Sequence, residues 1–247
     1  MRGLPLLLAL STLGLAAQER PAAVLPAEAP RGTAAPATPE AALLELLAGN
    51  GRFVAGKRVR TVDTSHDAVL RAALVKGQSP FAVIVTCSDS RVPDNLLFDQ
   101  EAGRLFTIRE AGNAPDLQGL ASVEYAVEHL GSKVVLVMGH TGCGAVKAVR
   151  EANGKPLSGN LWALQAGMAG LLESTPEHPD EAAAAYGARL EAANARRQAQ
   201  TLLDRSDLLR ARAGDGRIRV LPALYHLDSG KVDLLEPAIP VAEAAHP

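Results

Sequence analysis

The sequence predicts an α/β fold in which a central, mostly parallel β-sheet is flanked by helices, with a ligand site at the carboxyl ends of the strands. Three observations predict it. Short β-branched runs alternate with longer helical patterns, the signature of a parallel sheet covered on both faces. Hydrophobic residues make up 47% of the chain but aromatics only 3%, so the core is built mainly from Ala, Val, Leu and Ile. Two strand candidates also run directly into glycine- and cysteine-bearing segments, at the end of an open sheet where ligands bind. The strand candidates are residues 81–86 (FAVIVT), 105–109 (LFTIR), 134–138 (VVLVM) and 218–221 (IRVL), followed by a hairpin over 224–235 turning at Asp228-Ser229-Gly230. They make about four parallel strands plus an antiparallel C-terminal edge. Helices are expected over 66–76, 117–130, 145–153, 160–172 and from about 180 to 204, the last rich in strong helix formers. A first helix opens at Thr38-Pro39-Glu40, an N-cap residue, a proline at the first helical position and an early acid; Leu43, Leu44, Leu46 and Leu47 supply its apolar face.

Ahead of that helix the chain changes character twice. Met1-Arg2-Gly3 and the apolar run over residues 4–17 read as a secretory signal, too short for the roughly 20 residues of a membrane span, with cleavage after Ala16 or Ala17. Residues 18–38 are dominated by Ala and Pro and read as a tether; residues 39–240 read as one folded domain and 241–247 as a flexible tail. The mature protein is therefore expected in the periplasm, free of the membrane. Lys plus Arg (25) against Asp plus Glu (27) leaves no basic excess to neutralise phosphates, which argues against a nucleic-acid partner.

The chemistry concentrates in two segments. One strand enters Cys87-Ser88-Asp89-Ser90-Arg91 and another enters Gly139-His140-Thr141-Gly142-Cys143-Gly144. If those strands are neighbours, Cys87, His140 and Cys143 converge as two thiolates and an imidazole, a zinc-binding set with one position open for water. Asp89 and Arg91 are spaced to pair with each other and to face the metal. In that place Asp89 either fills the fourth zinc position or, held by Arg91, accepts a hydrogen bond from the metal-bound nucleophile. A disulfide between the two cysteines is the rival reading in an exported chain, but it gives His140, Asp89 and Arg91 no purpose. Dinucleotide and phosphate-loop readings fail, because Lys147 occupies the third glycine position and Ala145-Val146 follow Gly144. His66, His129, His178, His226 and His246 have no acidic or cysteine partner at ligand spacing and read as surface or internally satisfied residues; Trp162 reads as core or subunit contact.

CSDSRV at 87–92 and GHTGCGAV at 139–146, with FDQ at 98–100, AGN at 111–113 and EYAVEHLG at 124–131, resemble the β-class carbonic anhydrases over roughly residues 43–235. The resemblance implies reversible hydration of CO2 to bicarbonate and a proton by zinc-bound hydroxide, with one Zn2+ per chain on Cys87, His140 and Cys143. It implies that Asp89 and Arg91 are the family's dyad, with Asp89 ligating zinc in a closed form. It also implies that Gln78 hydrogen-bonds substrate as in the plant-like branch, that Phe106, Ala111 and Tyr125 supply an apolar wall across a dimer interface, and that the backbone near Gly144 polarises the substrate. A homodimer or dimer-based tetramer follows. Glu110 departs from the family pattern, standing where an apolar residue or Asn is common, and Ala111 is smaller than the usual valine. Hydrolysis of a CO2-like electrophile such as carbonyl sulfide or carbon disulfide, or non-catalytic zinc or bicarbonate binding, remain open on the residues alone.

Overall fold

The computed structural model describes residues 35–60 and 67–235. The expected signal, most of the tether, His66 and the tail lie outside the described residues. In chain order the elements are α1 (Pro39–Val54), α2 (Ala68–Leu74), β1 (Ala82–Thr86), α3 (Asp94–Leu97), β2 (Leu105–Arg109), α4 (Leu117–Glu128), β3 (Val134–His140), α5 (Gly144–Ala152), α6 (Trp162–Gly167), α7 (Leu171–Ser174), α8 (Ala183–Arg205), α9 (Asp207–Gly214), β4 (Arg219–Tyr225) and β5 (Val232–Leu234), with 3₁₀ turns at Ala111–Asn113 and Gly159–Leu161.

One sheet has the order β2-β1-β3-β4-β5. Its first four strands are mutually parallel and β5 returns antiparallel to β4, as the sequence predicts. β1 and β3 are buried along their whole length, which is why they read as unbroken Val/Ile/Leu runs rather than alternating ones. Ala82, Ile84, Leu136 and Met138 cluster with Leu46 of α1 and with Leu97 and Phe98, at and just after α3. The alternate residues Val83, Val85, Val135 and Val137 cluster with Leu120 and Val123 of α4, Leu202 of α8 and Leu209 of α9. From β1 the chain goes to β2 on one side, then returns to place β3 on the other. The carboxyl ends of β1 and β3 therefore lie side by side at a topological switch point.

Local differences from the sequence reading have local causes. The expected strand at 218–221 and the first arm of the hairpin are one strand, β4, running through Pro222. Pro222 turns its carbonyl toward the hairpin partner, where Leu235 N–H donates to it, so its missing N–H also faces that side and spares the ladder to β3. The single helix expected over 160–172 is broken into a 3₁₀ turn, α6 and α7, because Gly170 takes a left-handed conformation with φ +77. Trp162 there is 59% exposed, so it is not core. α8 starts at Ala183 rather than near Asp180, whose φ of 65 is incompatible with helix. Thr38 caps α1 through Ala41 N–H, but Leu44 is exposed: one residue on from Leu43, it points about 100° away from the buried stripe of Ala42, Leu43 and Leu46. His226 has an acidic partner after all, Asp233 at 3.0 Å across the hairpin.

α1 is pressed against the segment at α3 by a contact that leaves no room for a methyl group. Asn50 donates to the carbonyls of Leu97 and Gly230 and accepts from Val232 N–H, joining the helix to α3 and the hairpin. At Gly49 a Cβ would stand 1.9 Å from the Phe98 carbonyl oxygen, whereas at Gly51, exposed on the same helix, it would meet nothing. Gly49→Ala is expected to destabilise the fold by about 1–3 kcal/mol through forced separation of backbones, while Gly51→Ala stabilises it by about 0.5–1 kcal/mol; paired denaturant titrations check both, and equal effects would refute the close-approach account.

Candidate metal centre

Cys87 follows the last residue of β1 and His140 is the last residue of β3, so strand adjacency alone brings them together. Cys143 arrives from the same loop after Gly142 turns the chain with φ +68, and it occupies the N-cap of α5. The Sγ atoms of Cys87 and Cys143 and a ring nitrogen of His140 all lie within 4.8 Å of one another, and all three residues are buried. Both cysteines are free, so the rival disulfide is not formed. The imidazole is oriented by Nδ1, 3.0 Å from the Thr141 carbonyl, which leaves Nε2 as the nitrogen turned to the cluster. That Nε2 is buried with no hydrogen-bond partner.

Such a donor set fits a soft divalent cation such as zinc. Proximity to the Cys143 thiol, against the opposing effect of burial, and then to the His140 imidazole and the Gly112 and Asp89 amides, lowers the Cys87 pKa. Cys143, the donor of that pair, is pushed up by the same contact and by burial. His140 is held above its ordinary value: burial disfavours its charge, but Cys87, the Thr141 carbonyl and Asp89 outweigh it.

At the mouth of the cluster Arg91 grips Asp89 at both oxygens, Nε to Oδ1 at 2.9 Å and Nη2 to Oδ2 at 2.7 Å, and the Arg91 amide donates to Oδ1 as well. This pairing, ahead of smaller contributions from His140, holds the Asp89 carboxyl far below the usual range. Asp89 Oδ2 stands 3.8 Å from His140 Nε2. Gly144 opens α5 with space beyond its Cα, since a Cβ there would meet nothing within 4 Å. Glu110, the departure noted in the sequence, takes the Asp116 N–H at the start of α4 and fills the space left by Gly119.

Gln78, Phe106 and Tyr125 do not join the cluster within one chain. Gln78 precedes the amino end of β1, whereas Cys87 follows its carboxyl end. Phe106 pairs in register with Val83, four residues short of Cys87, or about 13 Å along the strand. Its ring stacks on half-exposed Tyr125 at 6.3 Å, and Tyr125 on His129 at 5.3 Å.

Sequence reasoning missed three contacts. Gly112 N–H donates to Cys87 Sγ at 3.3 Å, Glu191 Oε1 accepts the Cys143 N–H at 2.8 Å, and Asn194 Nδ2 donates to the Gly112 carbonyl at 2.7 Å. A signal for the last two exists: Glu191, Asn194 and Gln198 recur at i, i+3 and i+7 on the buried stripe of α8, beside Leu190, Ala195 and Leu202. Burial pushes Glu191 upward, with the Cys143 N–H and His140 opposing it.

A sequence profile described as carbonic anhydrase matches residues 82–232. The chain is 34% identical over 210 residues to carbonic anhydrase 2 of Mycobacterium tuberculosis, covering 79% of this chain and 92% of that one. It is 36% identical over 189 residues to a carbonic anhydrase of Pseudomonas aeruginosa, covering 71% and 83%. The solved structure of a β-carbonic anhydrase of Aspergillus fumigatus is similar with a TM-score of 0.63 at 28% identity, covering 80% of this chain and 92% of that one. With the Cys-His-Cys cluster at the switch point of a parallel sheet, these likenesses place the chain among the enzymes of the β-class carbonic anhydrase family.

Proposed function

We propose that the protein catalyses the reversible hydration of CO2 to bicarbonate and a proton, using one zinc ion per chain held by Cys87, His140 and Cys143. The observation that carries this reading is the convergence of three buried donors, one of them an unpartnered Nε2, beside a carboxylate already clamped by arginine. Zinc in such a site supplies an acidified water as nucleophile and acts as a Lewis acid. Asp89, kept ionised by Arg91, would offer Oδ2 as the hydrogen-bond acceptor that orients the nucleophile. With both its oxygens engaged by Arg91, Asp89 is arranged to orient rather than to ligate, which favours an accessible site. The backbone at Gly144, where α5 begins, faces developing charge on the substrate oxygen.

The reading extends to assembly and location. Because Gln78, Phe106 and Tyr125 stand away from the centre of their own chain, we place them across a homodimer interface, alone or within a dimer-based tetramer, where they complete an apolar CO2 pocket. β2 lies at the edge of the sheet and the Phe106–Tyr125 pair beside it is partly exposed, which suits such an interface. Residues 1–17 are read as a secretory signal and the mature protein as periplasmic. Among the described residues no helix is long and apolar enough to cross a membrane.

Stopped-flow CO2 hydration by purified protein at pH about 8.5, above the pKa near 7 of zinc-activated water, is expected to show activity that chelation abolishes and zinc restores, with two titratable thiols per chain after stripping. Zinc-loaded protein that ignores CO2 but hydrolyses carbonyl sulfide would overturn the substrate assignment. Asp89→Ala is expected to keep zinc yet lose about 10- to 100-fold in CO2 hydration; full activity with full metal content would remove the orienting role. In a Gram-negative host, the full-length chain is expected to yield a periplasmic product beginning at Ala17 or Gln18, read by N-terminal sequencing, and an uncleaved cytoplasmic product would refute export.

A further inference from the structure

We infer that Glu191 is a positioning residue of the metal centre, acting by its reach rather than its charge: it fixes the direction of the Cys143 sulfur by holding the Gly142–Cys143 peptide from beneath. The inference deepens the zinc reading above and rests on it.

Gly142 and Cys143 share one peptide unit, and that unit is gripped on opposite sides. Its carbonyl oxygen, on Gly142, accepts from Arg91 Nη2 at 3.1 Å. Its N–H, on Cys143, donates to Glu191 Oε1 at 2.8 Å. In a trans peptide these two groups point in opposite directions, so two anchors set the tilt of the plane. The tilt in turn sets where the Cα–Cβ bond of Cys143 points. Without the lower anchor the Cys143 N–H loses its partner and this peptide keeps a single side-chain anchor, at a point where Gly142 lies at φ +68 and Cys143 makes no side-chain cap of its own.

Glu191 is well placed for the task. It is 7% exposed, on a helix whose position relative to β3 is fixed by direct apposition: a Cβ on Gly139 would stand 3.3 Å from the Glu191 carbonyl oxygen. The residue next to Gly139 is His140, so the element that anchors Cys143 is seated against the strand that presents the imidazole. A carboxylate is a costly group to bury without hydrogen bonds, and this one is turned to a backbone donor of a candidate ligand. One turn further along the same stripe, Asn194 holds the Gly112 carbonyl at 2.7 Å, and the Gly112 N–H donates to Cys87 Sγ. α8 thus reaches both sulfurs through the backbone that surrounds them. Residues of this kind, which touch the ligands and not the metal, typically change metal affinity 10- to 100-fold, roughly, when altered.

Two conservative variants separate reach from charge. Glu191→Gln keeps the acceptor at the same distance and drops the charge; Glu191→Asp keeps the charge and withdraws it by one methylene. Zinc affinity is measured by chelator competition on the folded protein, alongside the absorption of the cobalt(II)-substituted form, whose sulfur-to-cobalt band responds to the geometry of the cysteine–metal bonds. Glu191→Gln is expected to bind zinc within about threefold of the parent with an unchanged cobalt spectrum. Glu191→Asp is expected to bind at least about tenfold more weakly, with a shifted band. A parent-like Glu191→Asp, or a Glu191→Gln as weak as Glu191→Asp, overturns the inference while the parent's zinc binding leaves the zinc reading standing. A parent protein that binds no zinc overturns both.

Discussion

Two sulfurs and an imidazole nitrogen drawn together in an apolar setting form an arrangement that a protein interior tolerates only around a cation. Cys87 and Cys143 belong to the same buried cluster as Val146, Met168 and Leu190, and His140 Nε2 beside them has no partner. Interiors pair nearly all their polar atoms, and two adjacent thiols do not both ionise unless a positive charge is placed between them. Binding of a metal there is therefore coupled to folding. The requirement reaches outward into the fold: β1 and β3 are neighbours, the loop after β3 turns at a glycine, and α8 lays a polar stripe beneath it.

The mouth of the site is braced with similar economy of parts. Arg109, the last residue of β2, sends its guanidinium to the carbonyls of Asp89 at 2.7 Å and Val92 at 2.8 Å, and its own carbonyl receives the Ser88 hydroxyl. The loop after β1 is thus held by the adjacent strand before Arg91 makes any contact. Arg91 then serves two segments at once, since its Nη2 group bonds both Asp89 and the Gly142 carbonyl. A lysine in its place would keep the charge and lose the planar fork that allows this.

How far the sequence could be read follows from where each signal lies. Cys87, His140, Cys143, Asp89 and Arg91 were legible because each sits within five residues of a strand end, so that pairing β1 with β3 sufficed to gather them. The parallel order was legible for the same local reason, in Val/Ile/Leu runs separated by helices. Glu191 and Asn194 were not, because on an Ala- and Arg-rich helix a Glu or Asn is ordinary until the packing of α8 against β3 decides which stripe is inside. Leu44 and the break at Gly170 were missed through small angular facts, one residue of helical rotation and one positive φ. The strand at 218–221 and the hairpin arm from 224 were read as separate, when they are one strand through Pro222 whose carbonyl direction leaves the ladder to β3 intact.

The division of labour within the chain bears on the proposed assembly. Among the described residues the Cys-His-Cys cluster is gathered at the carboxyl ends of β1 and β3, while the aromatic groups suited to an apolar reactant sit toward the edge of the sheet, on β2 and α4. Phe106, Tyr125 and His129 form a continuous stack there, and among the described residues Tyr125 and Leu117 of α4 are exposed. CO2 offers an enzyme almost nothing to grip by hydrogen bonding, so an apolar wall near the nucleophile is a requirement of the proposed chemistry. One chain provides the charge-handling half at one place and the apolar half at another, separated by about the length of a strand. A two-fold pairing across the β2 edge is an economical way to bring the halves together, because an isologous contact places each wall against the other subunit's centre twice over. In the proposed arrangement the apolar surface of α4 would lie against the metal centre of the other subunit.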